Sequence, residues 1–270
     1  MLDRWTRRPL VLVGILALLA LAAVAWATTA DPLKIAVMNR LKPPSAAHIF
    51  GTDDFGRDVF ARVAYGARLS LILGFLVTAV ACVAGTAIGL LAGFFRKADP
   101  FLARLLDALM AFPDILLAIA LMAAFGPSEA NVVIALGVVY APRVARVVRA
   151  ATFAQSASLF VEAAVSMGAS GGRILLVHIL PNLLPILFVQ ATFIFAYALL
   201  TESALSFLGA GVPPSTPTLG NMIAAGQAYF DSALWMMLFP GAAIALAVLS
   251  LQMVGDGLRD ILDPVLSNSQ

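Results

Sequence analysis

The sequence predicts an all-α, polytopic integral membrane protein with six transmembrane helices. Hydrophobic residues make up 61% of the 270 residues and charged residues only 12%, a balance that a soluble core of this length could not accommodate. Apolar runs also recur along the chain, each close to or longer than the ~20 residues that cross a bilayer as a helix. Continuous apolar runs of this length favour helices over barrel strands. The predicted spans are 9–27, 69–95, 101–125, 132–151, 183–205 and 234–254.

The first apolar run follows a basic N-terminal stretch that contains Arg4, Arg7 and Arg8. Ala25-Trp26-Ala27 resembles a signal-peptidase cleavage site, so a cleaved signal peptide is one interpretation. The run is longer than a typical signal core, however, and the later helices need a first span to set their orientation. We therefore expect a transmembrane helix with a cytoplasmic N-terminus.

A polar segment follows the first span and contains GTDDFGRD at positions 51–58. Its clustered Asp residues could suggest a cation site, but the fuller set of oxygen ligands that calcium requires does not follow. We instead expect Asp53 or Asp54 to cap a helix, with Arg57 pairing nearby. His48 is expected to be a surface or packing residue. Residues 1–64 are predicted to form the first helix and an external segment, and residues 65–270 a five-helix core.

Basic residues predict the orientation of the spans. With the N-terminus inside, Arg96, Lys97 and Arg173 all fall on the cytoplasmic side, together with Arg259, as the positive-inside rule requires. The C-terminus and the loop at 152–182 then also lie in the cytoplasm. No Lys lies in a phosphate-binding loop of the form G-x-x-x-x-G-K-[ST], and no basic patch suggests a nucleic-acid partner.

Two acids in the predicted spans are candidates for a translocation path or an outer gate. Asp114 follows Pro113 within the third span, where an ionisable group is costly and usually functional. It could instead cap a kink or pair with an arginine of a neighbouring helix. Glu202 ends the fifth span, facing either the path or the outer interface.

Other charges have structural interpretations. Arg104 and Asp107 lie three residues apart and are expected to pair on one helix face. Arg143, Arg146 and Arg149 could steer anionic cargo, but a stripe that extends its charges to the cytoplasmic interface is favoured.

The loop Glu162–Asn182, EAAVSMGASGGRILLVHILPN, is of mixed polarity between two apolar segments. Glu162-Ala163-Ala164 is typical of a first helical turn, since Ala favours helix and an acid suits the N-terminal dipole. Gly168, followed by two further glycines, permits a sharp bend. A second short helix is expected from Arg173 to Ile179, ended by Pro181.

The spacing of EAA, Gly168 and the Leu-Pro pair at 180–181 resembles the cytoplasmic loop of permease subunits of ATP-binding-cassette (ABC) importers. His178 stands where that loop usually has Ile, and His-Ile-Leu-Pro-Asn is typical of the dipeptide, oligopeptide and nickel branch. Segments at 51–71, 202–220 and 255–264 are also similar to that branch, although Leu219 stands where it commonly has Trp. The resemblance implies that the loop is a coupling helix for an ATPase. The implied contact residues are Glu162, Ala163, Ala164, Gly168, Ala169, Arg173 and Pro181.

The same resemblance implies the partners and the location. These are a homologous second permease subunit, two ABC ATPase subunits, an external solute-binding protein and the lipid of a bacterial inner membrane. ATP and Mg²⁺ would bind the ATPases, so no catalytic residue, cofactor or metal is expected in this chain. Peptides are the expected cargo, with nickel complexes, glutathione and other small solutes as alternatives. The rival hypothesis is a secondary transporter or channel driven by an ion gradient.

Overall fold

The computed structural model describes the backbone of residues 4–27 and 30–262, and side chains in 11–26 and 30–260. The described chain is built mainly from helices, as predicted; the segments 30–58 and 208–218 are largely irregular, and one isolated bridge joins Thr52 to Asp58. The helices are α1 (Arg4–Ala27), α2 (Val59–Phe94), α3 (Asp99–Met110), α4 (Asp114–Phe125), α5 (Glu129–Ser156), α6 (Leu159–Ser166), α7 (Gly171–Phe207), α8 (Leu219–Gly226) and α9 (Trp235–Leu262).

Four of these helices, α2, α5, α7 and α9, are long and apolar enough to cross a membrane. In α1 the described apolar part, Val11–Trp26, is shorter than a full span. By length alone, therefore, the described residues do not provide six full spans.

The third predicted span, 101–125, is not a single straight helix. That stretch forms α3 and α4, which are bent by 91° relative to each other. Pro113 lies at the break. Because proline has no backbone N–H and disfavours the helical conformation of the residue before it, a helix that continued through this position would lose a backbone hydrogen bond. Each half has 12 residues. That is about 18 Å of helix, against a hydrocarbon core of ~30 Å.

The bent pair nevertheless returns the chain from one end of the bundle to the other. Gly85 of α2 lies against Val144 of α5, and Gly93 against Thr152, so the two helices run parallel. The end of α2 and the start of α5 are therefore at opposite ends, and residues 95–128 must connect them. The α3–α4 pair thus counts as one bent passage.

Glycines allow α2 and α5 to approach at backbone contact. A Cβ atom added at Gly85, Gly89 or Gly93 would lie 2.6–2.7 Å from a backbone carbonyl oxygen of α5. Small residues at such interfaces let helix backbones pack closely in a membrane, where van der Waals contact drives association. The α2–α5 pair is consequently a tightly packed unit.

The polar segment before α2 corrects the predicted cap. Asp58, and neither Asp53 nor Asp54, is the N-cap of α2, and its carboxylate accepts a hydrogen bond from the N–H of Ala61. The expected pairing of Arg57 is confirmed, since its Nε lies 2.6 Å from Asp53 Oδ2. Asp53 and Asp58 therefore stabilise the segment itself, as an ion-pair partner and as a helix cap.

This segment packs on the ends of the bundle helices. The indole Nε1 of Trp235, at the start of α9, donates to the carbonyl of Thr52 over 3.0 Å. His48, expected as a surface or packing residue, has its Nδ1 2.9 Å from Asp58 Oδ2. The boundary predicted at residue 64 falls inside α2, because that helix already begins at Val59.

Candidate functional site

The first candidate site is the elbow segment, residues 157–173, which joins α5 to α7. Gly168 has φ +80°, the left-handed conformation that favours glycine. Its N–H donates to the carbonyl of Val165, and the N–H of Ala169 donates to that of Ala164. These two bonds are the Schellman arrangement that ends a helix at a glycine. The predicted elbow at Gly168 is confirmed, and its conformation explains why the residue is glycine.

The elbow segment buries one side and exposes an apolar surface on the other. Val161 and Ala164 of α6 are buried against the chain. Leu159 and Met167 are 83% and 82% exposed, and Val165 is exposed as well. Large apolar side chains that are exposed together mark interaction sites. We call this set, Leu159, Val165 and Met167, the elbow patch.

The predicted contact residues divide between the two sides of the elbow segment and the start of α7. Ala164 is buried and Ala169 half-buried, so these two support the elbow from inside. The others are exposed: Glu162, Ala163, Gly168, Arg173 and Pro181.

The prediction that Pro181 ends a second short helix is wrong. Helical structure is continuous from Gly171 to Phe207, and Ile174–Ile179 within it is π-helical. An α-helical register restarts at Leu180, so Pro181 falls in a first turn, where a missing N–H is tolerated. The side-chain amide of Asn182 donates to the carbonyl of His178 over 2.7 Å. The apolar span therefore begins without a break after the elbow.

Glu202 is enclosed near the far end of α7. Its side chain is 1% exposed and accepts hydrogen bonds from the hydroxyls of Ser70 (3.1 Å) and Ser206 (2.9 Å). A buried carboxylate needs such donors, because desolvation without them is costly. In this conformation Glu202 joins α2 to α7 and does not line an open surface.

Three cross-helix ion pairs connect α5 to the bent pair. Arg143 pairs with Asp114, Arg146 with Asp107 over 2.7 Å, and Arg149 with Asp99 through both Nε and Nη2. The expected Arg104–Asp107 pair is not formed, since Asp107 faces Arg146 instead. Each of the three arginines pairs with an acid, and their interpretation as a stripe at the cytoplasmic interface stays a prediction.

Asp114 fits the alternative in which it pairs with an arginine of a neighbouring helix. It begins α4 directly after the bend, and Arg143 reaches it from α5. The guanidinium carbon of Arg143 also lies 5.5 Å from the ring centroid of Tyr140 and 5.2 Å from that of Tyr197. The hydroxyl of Tyr140 is 2.6 Å from that of Thr201. We call Asp114, Arg143, Tyr140 and Tyr197 the mid-bundle cluster.

Sequence reasoning missed the tyrosines and two of the three cross-helix pairs, those of Asp107 and Asp99. One signal was available in the order of the charges. Three acids lie in or just before the third apolar run (Asp99, Asp107 and Asp114), and three arginines lie in the next run (Arg143, Arg146 and Arg149). Antiparallel packing of the two runs would place the first acid opposite the last arginine and the last acid opposite the first arginine. The tyrosines gave no such signal, because an aromatic residue in an apolar helix is usually part of its packing.

Comparison with known proteins agrees with this fold. Residues 85–268 match the family described as binding-protein-dependent transport system inner membrane component. A putative peptide transport system permease protein of Brucella suis biovar 1 (strain 1330) is 48% identical over 97% of this chain and 90% of its own length. The dipeptide transport system permease protein DppC of Alkalihalophilus pseudofirmus is 47% identical over 85% of this chain and 76% of its own length.

A solved structure has a similar fold at low sequence identity. It is a chain of the MetNI methionine ABC transporter in inward-facing conformations, with a TM-score of 0.63 and 20% identity. The match covers 74% of this chain and 96% of the MetNI chain. At this identity the likeness concerns the fold alone.

Proposed function

Since the chain belongs to the family of binding-protein-dependent transport system inner membrane components, as a permease subunit of an ABC importer, we propose that peptides are its cargo. Relatives named as peptide or dipeptide permeases support this assignment at up to 48% identity over most of both chains. The chain would form half of the translocation path, and a second, homologous permease would form the other half.

The elbow patch supports a coupling role for the elbow segment. ABC importers combine such permeases with ATPase subunits and a binding protein. Leu159 and Met167 are almost fully exposed outside the long spans, where an apolar surface is costly in water unless a partner covers it. We propose that a groove of an ATPase subunit covers the elbow patch, with the exposed residues Glu162 and Arg173 at its rim.

The proposed orientation places the elbow segment and both termini in the cytoplasm. ATP and Mg²⁺ would bind to two ATPase subunits, and their closure would move the elbow together with the helices fixed to it. The equilibrium between inward-open and outward-open paths would then depend on how tightly each ATPase state binds the elbow. An external binding protein would deliver the cargo near the outer loops, where we propose that Glu202 acts at the outer gate by holding α2 against α7.

Gly168→Asp tests the coupling role. Asp tolerates the left-handed conformation better than most residues, and nothing lies within 4 Å of the added Cβ, so the chain is expected to insert and assemble with its second permease. The charge lies beside Met167 in the proposed contact. We expect ATP-dependent peptide uptake in proteoliposomes to fall at least tenfold, with weaker co-purification of the ATPases.

Gly209→Asp is the matched control. Gly209 follows the far end of α7, is also exposed, has φ +75° and has open space around its added Cβ, but it lies outside the elbow segment. It is expected to retain most of the uptake. Equal uptake and equal ATPase association in the two variants would contradict the coupling role of the elbow.

A further inference from the structure

The mid-bundle cluster combines opposite charges with aromatic surface. Asp114 and Arg143 form an ion pair across α4 and α5, and the rings of Tyr140 and Tyr197 both lie within 5.5 Å of the guanidinium carbon. Tyr140 is itself fixed by the hydroxyl of Thr201. The arginine is therefore held by three helices: α4, its own α5 and α7.

The depth of the cluster is incompatible with exposure to lipid. Arg143 lies near the middle of α5, and Asp114 lies at the bend between α3 and α4. Their side chains are still 33% and 32% exposed in this chain. A charged group at the bilayer centre is costly, and such groups face a wet cavity or a protein interior. The exposed part of the pair therefore faces water, cargo or the second permease.

The ion pair leaves binding capacity on both partners. Within the described side chains, the hydrogen bond joins one oxygen of Asp114 to one terminal nitrogen of Arg143. A carboxylate has a second oxygen that can accept a hydrogen bond, and a guanidinium has five N–H donors, so each group can bind a second charged partner. A ligand with a cationic and an anionic end would complete a ring of four alternating charges.

We propose that the mid-bundle cluster binds the terminal charges of a short zwitterionic peptide in the translocation path. Asp114 would accept hydrogen bonds from the α-ammonium group of the peptide, and Arg143 would bind its terminal carboxylate. The exposed ring of Tyr197 would contact a side chain of the peptide. This inference rests on the proposed function, since it names the part of a peptide that the permease recognises.

The geometry also selects for length. The two protein charges are in direct contact, so the charges of the ligand must lie within several ångströms of each other. An extended dipeptide spans at most about 7 Å, whereas a pentapeptide spans about 17 Å. We expect the cluster to prefer dipeptides to longer peptides.

Equilibrium binding of radiolabelled dialanine to the complete importer in nanodiscs tests the inference, with the external binding protein omitted so that only the membrane complex selects. Wild type is expected to bind dialanine at least tenfold more tightly than N-acetyl-dialanine or dialanine amide. Asp114→Asn should lose at least tenfold in affinity and cease to distinguish the acetylated peptide. Arg143→Gln should show the same loss for the amide, and Arg143→Lys, which keeps the charge, should retain part of that discrimination.

Arg146→Gln is the control, because Arg146 forms the neighbouring pair but lies one turn away from the cluster. A loss of dialanine affinity in Arg146→Gln equal to that in Arg143→Gln would overturn the inference in favour of a general effect of charge. Loss of the second permease from purified Asp114→Asn and Arg143→Gln complexes would overturn it in favour of a subunit interface.

The proposed function can fail separately. If the wild-type importer transports peptides with its binding protein but binds no dialanine without it, the cluster is not the site and the peptide assignment stands. If the complete importer transports no peptide, both proposals are wrong.

Discussion

The two sides of α5 differ in how they are packed. Towards α2 the contact is made by glycines at every fourth position, against carbonyl oxygens of α5. Towards the bent pair α3–α4 the contact includes three Asp–Arg pairs, each of them at least partly exposed. One side is dry and close, and the other is charged and accessible to water.

The difference indicates which interface is suited to movement. Close backbone packing fixes register, because any shift places a carbonyl or a side chain where a glycine left room. Ion pairs that are partly exposed can exchange protein partners for water at little cost. We therefore expect α2 and α5 to move together with the elbow segment, and α3–α4 to be the element that shifts against them.

The largest expected effect is on the glycine side. In Gly89→Ala the new Cβ would lie 2.6 Å from the carbonyl oxygen of Ala145 and 2.7 Å from Cβ of Val148. Overpacking of this kind typically costs about 1–3 kcal/mol. We expect a lower melting temperature in detergent and a lower steady-state amount in the membrane.

Gly241→Ala provides the matched control in α9, since nothing lies within 4 Å of its added Cβ. It is expected to be neutral or slightly stabilising, because Ala favours helix over Gly. If the two variants melted at the same temperature, the α2–α5 contact would not be the fixed interface described above.

A smaller effect is expected for the pair at the start of α3. Asp99 accepts from two nitrogens of Arg149, a two-point contact that favours this geometry, but both side chains are about one-third exposed and therefore screened by solvent. A double-mutant cycle with Asp99→Asn and Arg149→Gln should give a coupling energy of at most about 1 kcal/mol. Melting temperatures of the four proteins in the cycle, at low and at high salt, measure this coupling energy. A coupling energy that salt does not weaken would contradict the view that the pair is screened by solvent.

The smallest effect is expected for Asp107→Asn. Asp107 and Arg146 are both more than half exposed and make a single contact of 2.7 Å. A double-mutant cycle with Asp107→Asn and Arg146→Gln should give a coupling energy below about 0.5 kcal/mol. A coupling larger than that of Asp99 with Arg149 would reverse the expected order and would indicate that Asp107 is covered in the assembled importer.

The elbow was predictable because its causes are local. A helix that ends at Gly168 requires a residue free to adopt positive φ, and the exposed and buried sides of α6 follow from its own periodicity. The corrections concern prolines, whose effect depends on context. Pro113 divides a run that hydropathy treats as continuous, whereas Pro181 is accommodated where a π-helical turn precedes it.

The mid-bundle cluster was not predictable to the same degree. Asp114 was recognised as costly in a span, and pairing with an arginine of a neighbouring helix was one of its interpretations. Which arginine it meets depends on how α4 lies against α5 after the 91° bend. For Glu202 the sequence predicted either the path or the outer interface, whereas its carboxylate is enclosed and accepts a hydrogen bond from Ser70, 132 residues away.

The sequence by itself determined that this protein lies in a lipid bilayer, that it is helical and where the elbow falls. These features depend on the length of each apolar run and on the conformational freedom of one glycine, both of which are local properties of the chain. The tertiary structure decided the 91° angle between the two halves of the third passage, the partners of the charges and the enclosure of Glu202. Those features depend on which helices become neighbours, and such long-range contacts leave only a weak trace in the order of residues along the chain.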